Sequence, residues 1–262
     1  MNEQKKRQFD FEDLLDIMAK LRSKDGCPWD KQQTHDTLRQ YILEEAYEVV
    51  DAIDHHNDDE LIEELGDVLF QVVFHAQIAS EEGRFTIQDV IDGICKKMIN
   101  RHTHVFAAEK VDTVEQVLNN WEKIKNQEKR FEDYTGKMKA IPAVLPALMR
   151  SYKVQKKAAL AGFDWETIDG PLSKVYEELN ELKEAYNKGD KDEIFEELGD
   201  LLFAVVNVSR FLDAQPELAL LRATDKFIKR FEYMENAAKK AGKNLEDMSF
   251  EEMDKLWERS KL

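Results

Sequence analysis

The segment Glu44-Glu45-Ala46-Tyr47-Glu48, followed after a polar break by Glu60-Leu61-Ile62-Glu63-Glu64-Leu65-Gly66-Asp67, is written twice in this chain. Its second copy is Glu177-Glu178-Leu179-Asn180-Glu181, then Glu193-Ile194-Phe195-Glu196-Glu197-Leu198-Gly199-Asp200. The copies lie 133 residues apart, and fifteen of the thirty-two positions from Leu43 to Phe74 match those from Tyr176 onward without a gap. Most matching positions are acidic. A repeat kept for packing alone would keep its apolar residues first, so the retained carboxylates point to a divalent metal and to whatever that metal holds.

Helical periodicity says how the acids meet. Residues three apart on a helix are neighbours, roughly 5–6 Å apart at Cβ, which pairs Glu45 with Glu48 and Glu64 with Asp67. The break at Asp54-His55-His56-Asn57-Asp58 is short, so the flanking helices form an antiparallel hairpin. Counted from that turn at 1.5 Å per residue, both pairs stand roughly 9–15 Å away and are level. The same count sets Glu178 and Glu181 beside Glu197 and Asp200. Val68, Leu69, Phe70, Val72, Val73 and Phe74 around Asp67 predict a buried, apolar setting without a cation one turn away, and Asp200 reads the same way. At an effective dielectric near 20, like charges 6 Å apart repel by roughly 3 kcal/mol, so such a cluster raises its own pKa values or binds a cation. All-oxygen ligands favour Mg²⁺, with Mn²⁺ next. Gly66 and Gly199, each costing about 1 kcal/mol inside a helix, suggest close approach of something to the backbone. The bland alternative is a solvated acidic helix face, since 35% of the chain is charged; a helical scaffold is another. Neither explains acids kept in two copies in preference to core residues.

The remaining chain reads as all-α. Helices are expected at Phe11–Arg22, Thr37–Ile53, Asp59–Glu82, from Thr86 to about Arg101, and at 114–130. The second half is expected to repeat the pattern from Pro146, with long helices before Gly189, from Asp192 to Leu212, and from Pro216 to about Gly242, then a short one carrying Trp257. The Gly- and Pro-bearing stretch 131–146 reads as a linker. The expected organisation is two tandem copies of one four-helix-bundle-like unit: 1–130, linker, and 147–262. Lys97-x-Ile99-x-Arg101 is echoed by Lys226-x-Ile228-x-Arg230, and Trp121-Glu122 by Trp257-Glu258.

A net charge of −16 over 262 residues disfavours direct contact with nucleic acid or an anionic membrane. Two cysteines, Cys27 and Cys95, make neither a disulfide framework nor a zinc site. With no apolar run of membrane-spanning length, a cytoplasmic protein is expected. All six histidines lie in the first half. A site in the second copy must therefore draw its base from a carboxylate or from a water made acidic by a metal. A carboxylate-bridged di-iron bundle would need Glu-x-x-His pairs, and Glu48 and Glu181 stand where those histidines would fall.

Gly26-Cys27-Pro28-Trp29-Asp30, the two Glu-Glu-Leu-Gly-Asp blocks, Leu69-Phe70-Gln71-Val72-Val73-Phe74, Glu82-Gly83-Arg84-Phe85, His104-Val105-Phe106 and Gly162-Phe163-Asp164-Trp165 together resemble the MazG family of nucleoside triphosphate pyrophosphohydrolases. The resemblance implies tandem all-α domains, a homodimer, and Mg²⁺-dependent cleavage of nucleoside triphosphates between the α- and β-phosphates to NMP and pyrophosphate. It implies metal ligands Glu178, Glu181, Glu197 and Asp200 in the second copy, with Glu178 and Glu197 catalytic. Lys174, Glu193, Glu196, Lys226, Lys229, Arg230 and Trp257 would contact the substrate. In the first copy the metal set would be Glu45, Glu48, Glu64 and Asp67. Tyr41 stands where the second copy has Lys174, so the second copy is the expected catalytic one. The alternatives are a narrower enzyme for non-canonical nucleotides and a non-catalytic nucleotide-binding regulator.

Overall fold

A computed structural model describes residues 8–107, 113–129, 131 and 133–261. The outer ends of the expected domains, at 1, 130 and 262, lie outside the described residues. The described residues contain helices and no strand, and no helix among them is long and apolar enough to cross a membrane. The chain divides into two compact units, 1–128 and 129–262.

The first unit contains α1 (Phe11–Arg22), α2 (Pro28–Gln32), α3 (Arg39–Asp54), α4 (Asp58–Glu81), α5 (Ile87–Arg101), α6 (Thr103–Phe106) and α7 (Val114–Lys129). The second contains α8 (Tyr134–Lys139), α9 (Ala147–Ala159), α10 (Asp169–Lys188), α11 (Lys191–Phe211), α12 (Pro216–Lys240) and α13 (Phe250–Arg259). Capping explains why the boundaries fall where they do. Asp10, Thr86 and Ser249 close capping boxes with Asp13, Asp89 and Glu252 at the starts of α1, α5 and α13. Asn57 and Asp190 cap the helices that carry Glu64 and Glu197.

The hairpins α3–α4 and α10–α11 are the closest helix pairings of their units. At one equivalent position both turns take the left-handed conformation, with different residues. Gly189 ends α10 in the left-handed region at φ 75°, and in the first unit His56 takes that conformation at φ 54°. The left-handed conformation costs an L-residue about 1–2 kcal/mol, of which glycine's extra chain entropy returns about half. His56→Gly is therefore predicted to raise the free energy of unfolding by about 0.5–1 kcal/mol in urea titration; a lower midpoint would contradict this account of the turn.

Two expectations need correction. The segment 131–146 is more than a tether. It contains α8, capped by Asp133 and packed on α9, which six residues with one glycine did not reveal. Asp67 and Asp200 are exposed, not buried. Of the apolar residues read around Asp67, Val73 and Phe74 are buried and Val68, Phe70 and Val72 half-buried, but Leu69 is exposed, as are Ile62 and Leu65 on α4 and Phe195, Leu198, Leu202 and Val205 on α11. Among the described residues, nothing beyond the helix's own backbone and the adjacent residues lies within 4 Å of a Cβ built on Gly66 or Gly199, so none of them makes a close approach there.

Candidate active site

In the second unit the hairpin brings three carboxylates together. Glu178 from α10 and Glu197 and Asp200 from α11 each place an oxygen within 4.8 Å of the others. Glu178 is only 4% exposed. Glu181, one turn on, groups with Glu178 and Glu177 in the same way. Sequence reasoning assigned no site role to Glu177, although its place three residues after Lys174 signals the contact. Partial burial, then the Glu178 and Asp200 charges, raise the Glu197 carboxyl above its ordinary pKa. Glu181 is raised by desolvation and by its bond to Glu178.

Glu178 has a local cation. Lys174 Nζ donates to Glu177 Oε1 at 2.7 Å and lies 2.6 Å from Glu178 Oε1. Both acceptors raise its pKa further, so it stays an ammonium. The lysine thus holds, within the chain, part of the charge compensation that a cation would provide.

Other expected residues take varied places. Glu193 is paired with Lys188 at 3.0 Å. Glu196, Lys226 and Lys229 are exposed. The Arg230 guanidinium lies 5.5 Å from the centroid of the Trp257 ring, which also meets Phe227 at 5.1 Å. The first unit repeats this device, with Arg101 5.6 Å from the Trp121 ring. There, however, Arg101 is bonded to Glu128.

Beside the second unit's carboxylates opens a cavity of about 660 Å³, and Lys174, Glu178 and Asp200 belong to its wall. The rest of the wall comes from Pro171 on α10 and from α8, α9, α11 and the loop after α9, including Gln155, Phe163, Trp165, Phe203 and Asn207. The loop is fastened: Arg210 Nη1 donates to Asp164 Oδ2 at 2.9 Å. The Trp165 indole rests on Gly170, where any Cβ would fall 2.1 Å from the ring; only glycine admits the indole there. These lining residues escaped prediction, although Gly162-Phe163-Asp164-Trp165 stood out as a motif.

The first unit has its own carboxylate group, Glu45, Glu48 and Glu64. Asp67 stands outside that group but adds to the charge that, after burial, raises Glu45. Glu64 is raised by desolvation and Glu48. What differs is the neighbouring space. Pro171, Lys174, Phe203 and Asn207 of the cavity wall correspond, 133 residues earlier, to Leu38, Tyr41, Phe70 and Phe74. Leu38 and Phe74 are fully buried in a core with Met18, Val73 and Ile78, and Tyr41 and Phe70 pack against it. The same place in the repeat is a cavity in one unit and a packed core in the other.

Comparison with known proteins agrees with the repeat. The model of the MazG nucleotide pyrophosphohydrolase domain matches residues 33–106 and 167–235, one segment over each hairpin. The chain belongs to the MazG family. The MazG nucleoside triphosphate pyrophosphohydrolase/pyrophosphatase of Thermotoga maritima is 49% identical over 251 residues, 96% of this chain and 95% of that protein. The nucleoside triphosphate pyrophosphohydrolase of Escherichia coli K12 is 44% identical, with 95% of each chain covered. YabN of Bacillus subtilis, an uncharacterized protein, is 48% identical over all 262 residues, which span 53% of that longer protein. In this MazG chain, Gln155 and Trp257 fall outside both matched segments.

Proposed function

We propose that this MazG chain hydrolyses nucleoside triphosphates between the α- and β-phosphates, releasing NMP and pyrophosphate, in its second unit and with Mg²⁺ or Mn²⁺. The observation that carries this reading is the shared wall. Glu178 and Asp200 belong both to the carboxylate group and to a cavity within the roughly 300–1,000 Å³ of a small-molecule site. The names of the relatives supply the reaction class.

The donor set fits a hard divalent cation: oxygens only, from Glu178, Glu197 and Asp200, with Glu181 adjacent. Such an ion, when bound, neutralises phosphate charge and makes a coordinated water more acidic. The chain's own residues do the rest. Glu197, a member of the carboxylate group, is the residue that would accept the water's proton. Lys174, held by Glu177 and Glu178 beside the carboxylate group, would meet a phosphate oxygen and steady the leaving pyrophosphate. Lys226, Lys229 and Arg230 add positive charge along α12, and Trp257 offers an aromatic face to ribose or base. Glu193 and Glu196 stand one turn or less before Glu197 on α11. Phe163 and Trp165 give the nucleoside an apolar wall.

The exposed stripe Phe195, Leu198, Leu202 and Val205 follows a seven-residue repeat, the spacing of a helix–helix seam. It supports a homodimer, with Gly199 beside the seam where close approach would need it. The acidic net charge supports a cytoplasmic enzyme acting on free nucleotides and not on nucleic acid. Incubation of nucleoside triphosphates with protein and Mg²⁺, with products separated by ion-exchange chromatography, is expected to show NMP and pyrophosphate in equal amounts. NDP with inorganic phosphate, or binding without turnover, would overturn the reading.

A further inference from the structure

The second unit's cavity has a buried polar atom in its wall residues that the fold leaves unsatisfied. Gln155 on α9 is 6% exposed. Its Nε2 donates to the Phe203 carbonyl at 2.8 Å. A carbonyl only accepts, so this bond fixes which end of the amide faces α11. The other end, Oε1, is buried with no hydrogen-bond partner among the described residues. Gln71 Oε1 in the first unit is also unsatisfied, but there the positions equivalent to the cavity wall are filled by core side chains. Aligning Trp29 with Trp165 puts Ala19 where the second unit has Gln155, so the packed unit has no amide at this place.

Asn207, 9% exposed, is a second amide of the same wall. Its Oδ1 accepts from Arg210 Nε at 2.9 Å, and Arg210 is itself anchored on Asp164. That leaves Nδ2 as the donating end. The wall residues therefore include an amide acceptor and an amide donor, each end assigned by the other end's bond to protein, together with the rings of Phe163 and Trp165. Leucine or methionine would fill the place of Gln155 without burying an unsatisfied oxygen, so packing alone does not account for an amide.

We infer that Gln155 Oε1 accepts a hydrogen bond from the exocyclic amino group of the substrate's base, while Asn207 Nδ2 donates to the neighbouring ring nitrogen, so that this amide pair selects adenine- or cytosine-type edges. The inference rests on the proposed triphosphate hydrolysis. The amino group is the donor chosen because it projects from the ring; Oε1 lies below the cavity surface, so the Gln155 amide turns toward the base to accept from it.

The test compares kcat/KM for ATP with that for purine riboside triphosphate, and for CTP with that for 2-pyrimidinone riboside triphosphate; each analogue lacks only the amino group. The unmutated chain is expected to favour the amino-bearing member of its better pair by about 10- to 100-fold, mainly through KM. In Gln155→Met that preference is expected to vanish. Equal rates for parents and analogues in the unmutated chain would overturn the assignment, as would undiminished discrimination in Gln155→Met. The comparison in the unmutated chain stands alone should methionine disturb α9. Failure to turn over any triphosphate would instead remove the functional reading, and the base assignment with it.

Discussion

Glu197→Gln and Glu178→Gln will each lower triphosphate turnover by about 10³-fold, as expected for loss of a base or of a charged group aimed at the reacting phosphate. Both substitutions keep side-chain shape and remove one negative charge from the group that Glu178, Glu197 and Asp200 form. Glu178 is the more instructive position, because it is buried and holds Lys174. Glutamine there can still accept from the ammonium, so the fold should survive while cation affinity and turnover fall. Glu64→Gln makes the same chemical change in the first unit, where Leu38, Tyr41 and Phe74 occupy the space beside the carboxylates. It is expected to leave turnover unchanged. Steady-state rates with Mg²⁺ for the three variants decide the matter. Loss only in Glu64→Gln would move the site to the first unit, and full activity in Glu197→Gln would dissolve the assignment.

Magnesium in hundredfold excess over its dissociation constant will add about 2.7 kcal/mol to the native state, roughly 5–10 °C in melting temperature for a unit of this size. Without the ion, pH acts in the opposite sense. Glu181 and Glu197 bind their protons more tightly in the folded chain than in the unfolded one. Between the ordinary carboxylate value of 4.5 and these raised values the native state holds more protons, so their contribution to stability falls as pH rises through that window. Glu81, Glu128 and Glu252, held low first by Arg22, Arg101 and Lys243, act the other way and lose stability as pH falls. The informative quantity is therefore the difference between the unmutated chain and Glu197→Gln. Without metal the variant should melt higher at neutral pH, and the gap should close as pH approaches 4.5. With Mg²⁺ at neutral pH the order should reverse. Scanning calorimetry across pH, with and without the ion, checks both signs; a variant that gains as much from Mg²⁺ as the unmutated chain would exclude Glu197 as a ligand.

The hairpins were legible because two independent regularities agree. Helical spacing pairs the acids, and equal counts from a short turn make the pairs level, which the 4.8 Å grouping reflects. The contact of Lys174 with Glu177 and Glu178 also follows from the i,i+3 and i,i+4 rule, though the family resemblance alone assigns the lysine to the substrate. Asp67 and Asp200 were misread because an apolar stripe looks alike whether it faces the chain's own core or a surface that another copy could cover. The cavity could not be read at all. Its wall comes from three helices, a short helix inside the expected linker, and a loop, and none of Gln155, Trp165 or Asn207 signals a ligand by its spacing. It emerges only when the repeat is laid over the structure, where Asn207 and Lys174 replace the Phe74 and Tyr41 of a filled core.

Among the described residues, the second unit joins its carboxylate group to a cavity, which we propose receives the nucleoside. A crystal structure of the chain with Mg²⁺ and a triphosphate analogue that resists cleavage between the α- and β-phosphates tests it most directly. The account predicts metal density among Glu178, Glu197 and Asp200, with the base beside Trp165. Nucleotide seated against Glu45, Glu48 and Glu64, with the second unit's cavity empty, would contradict it.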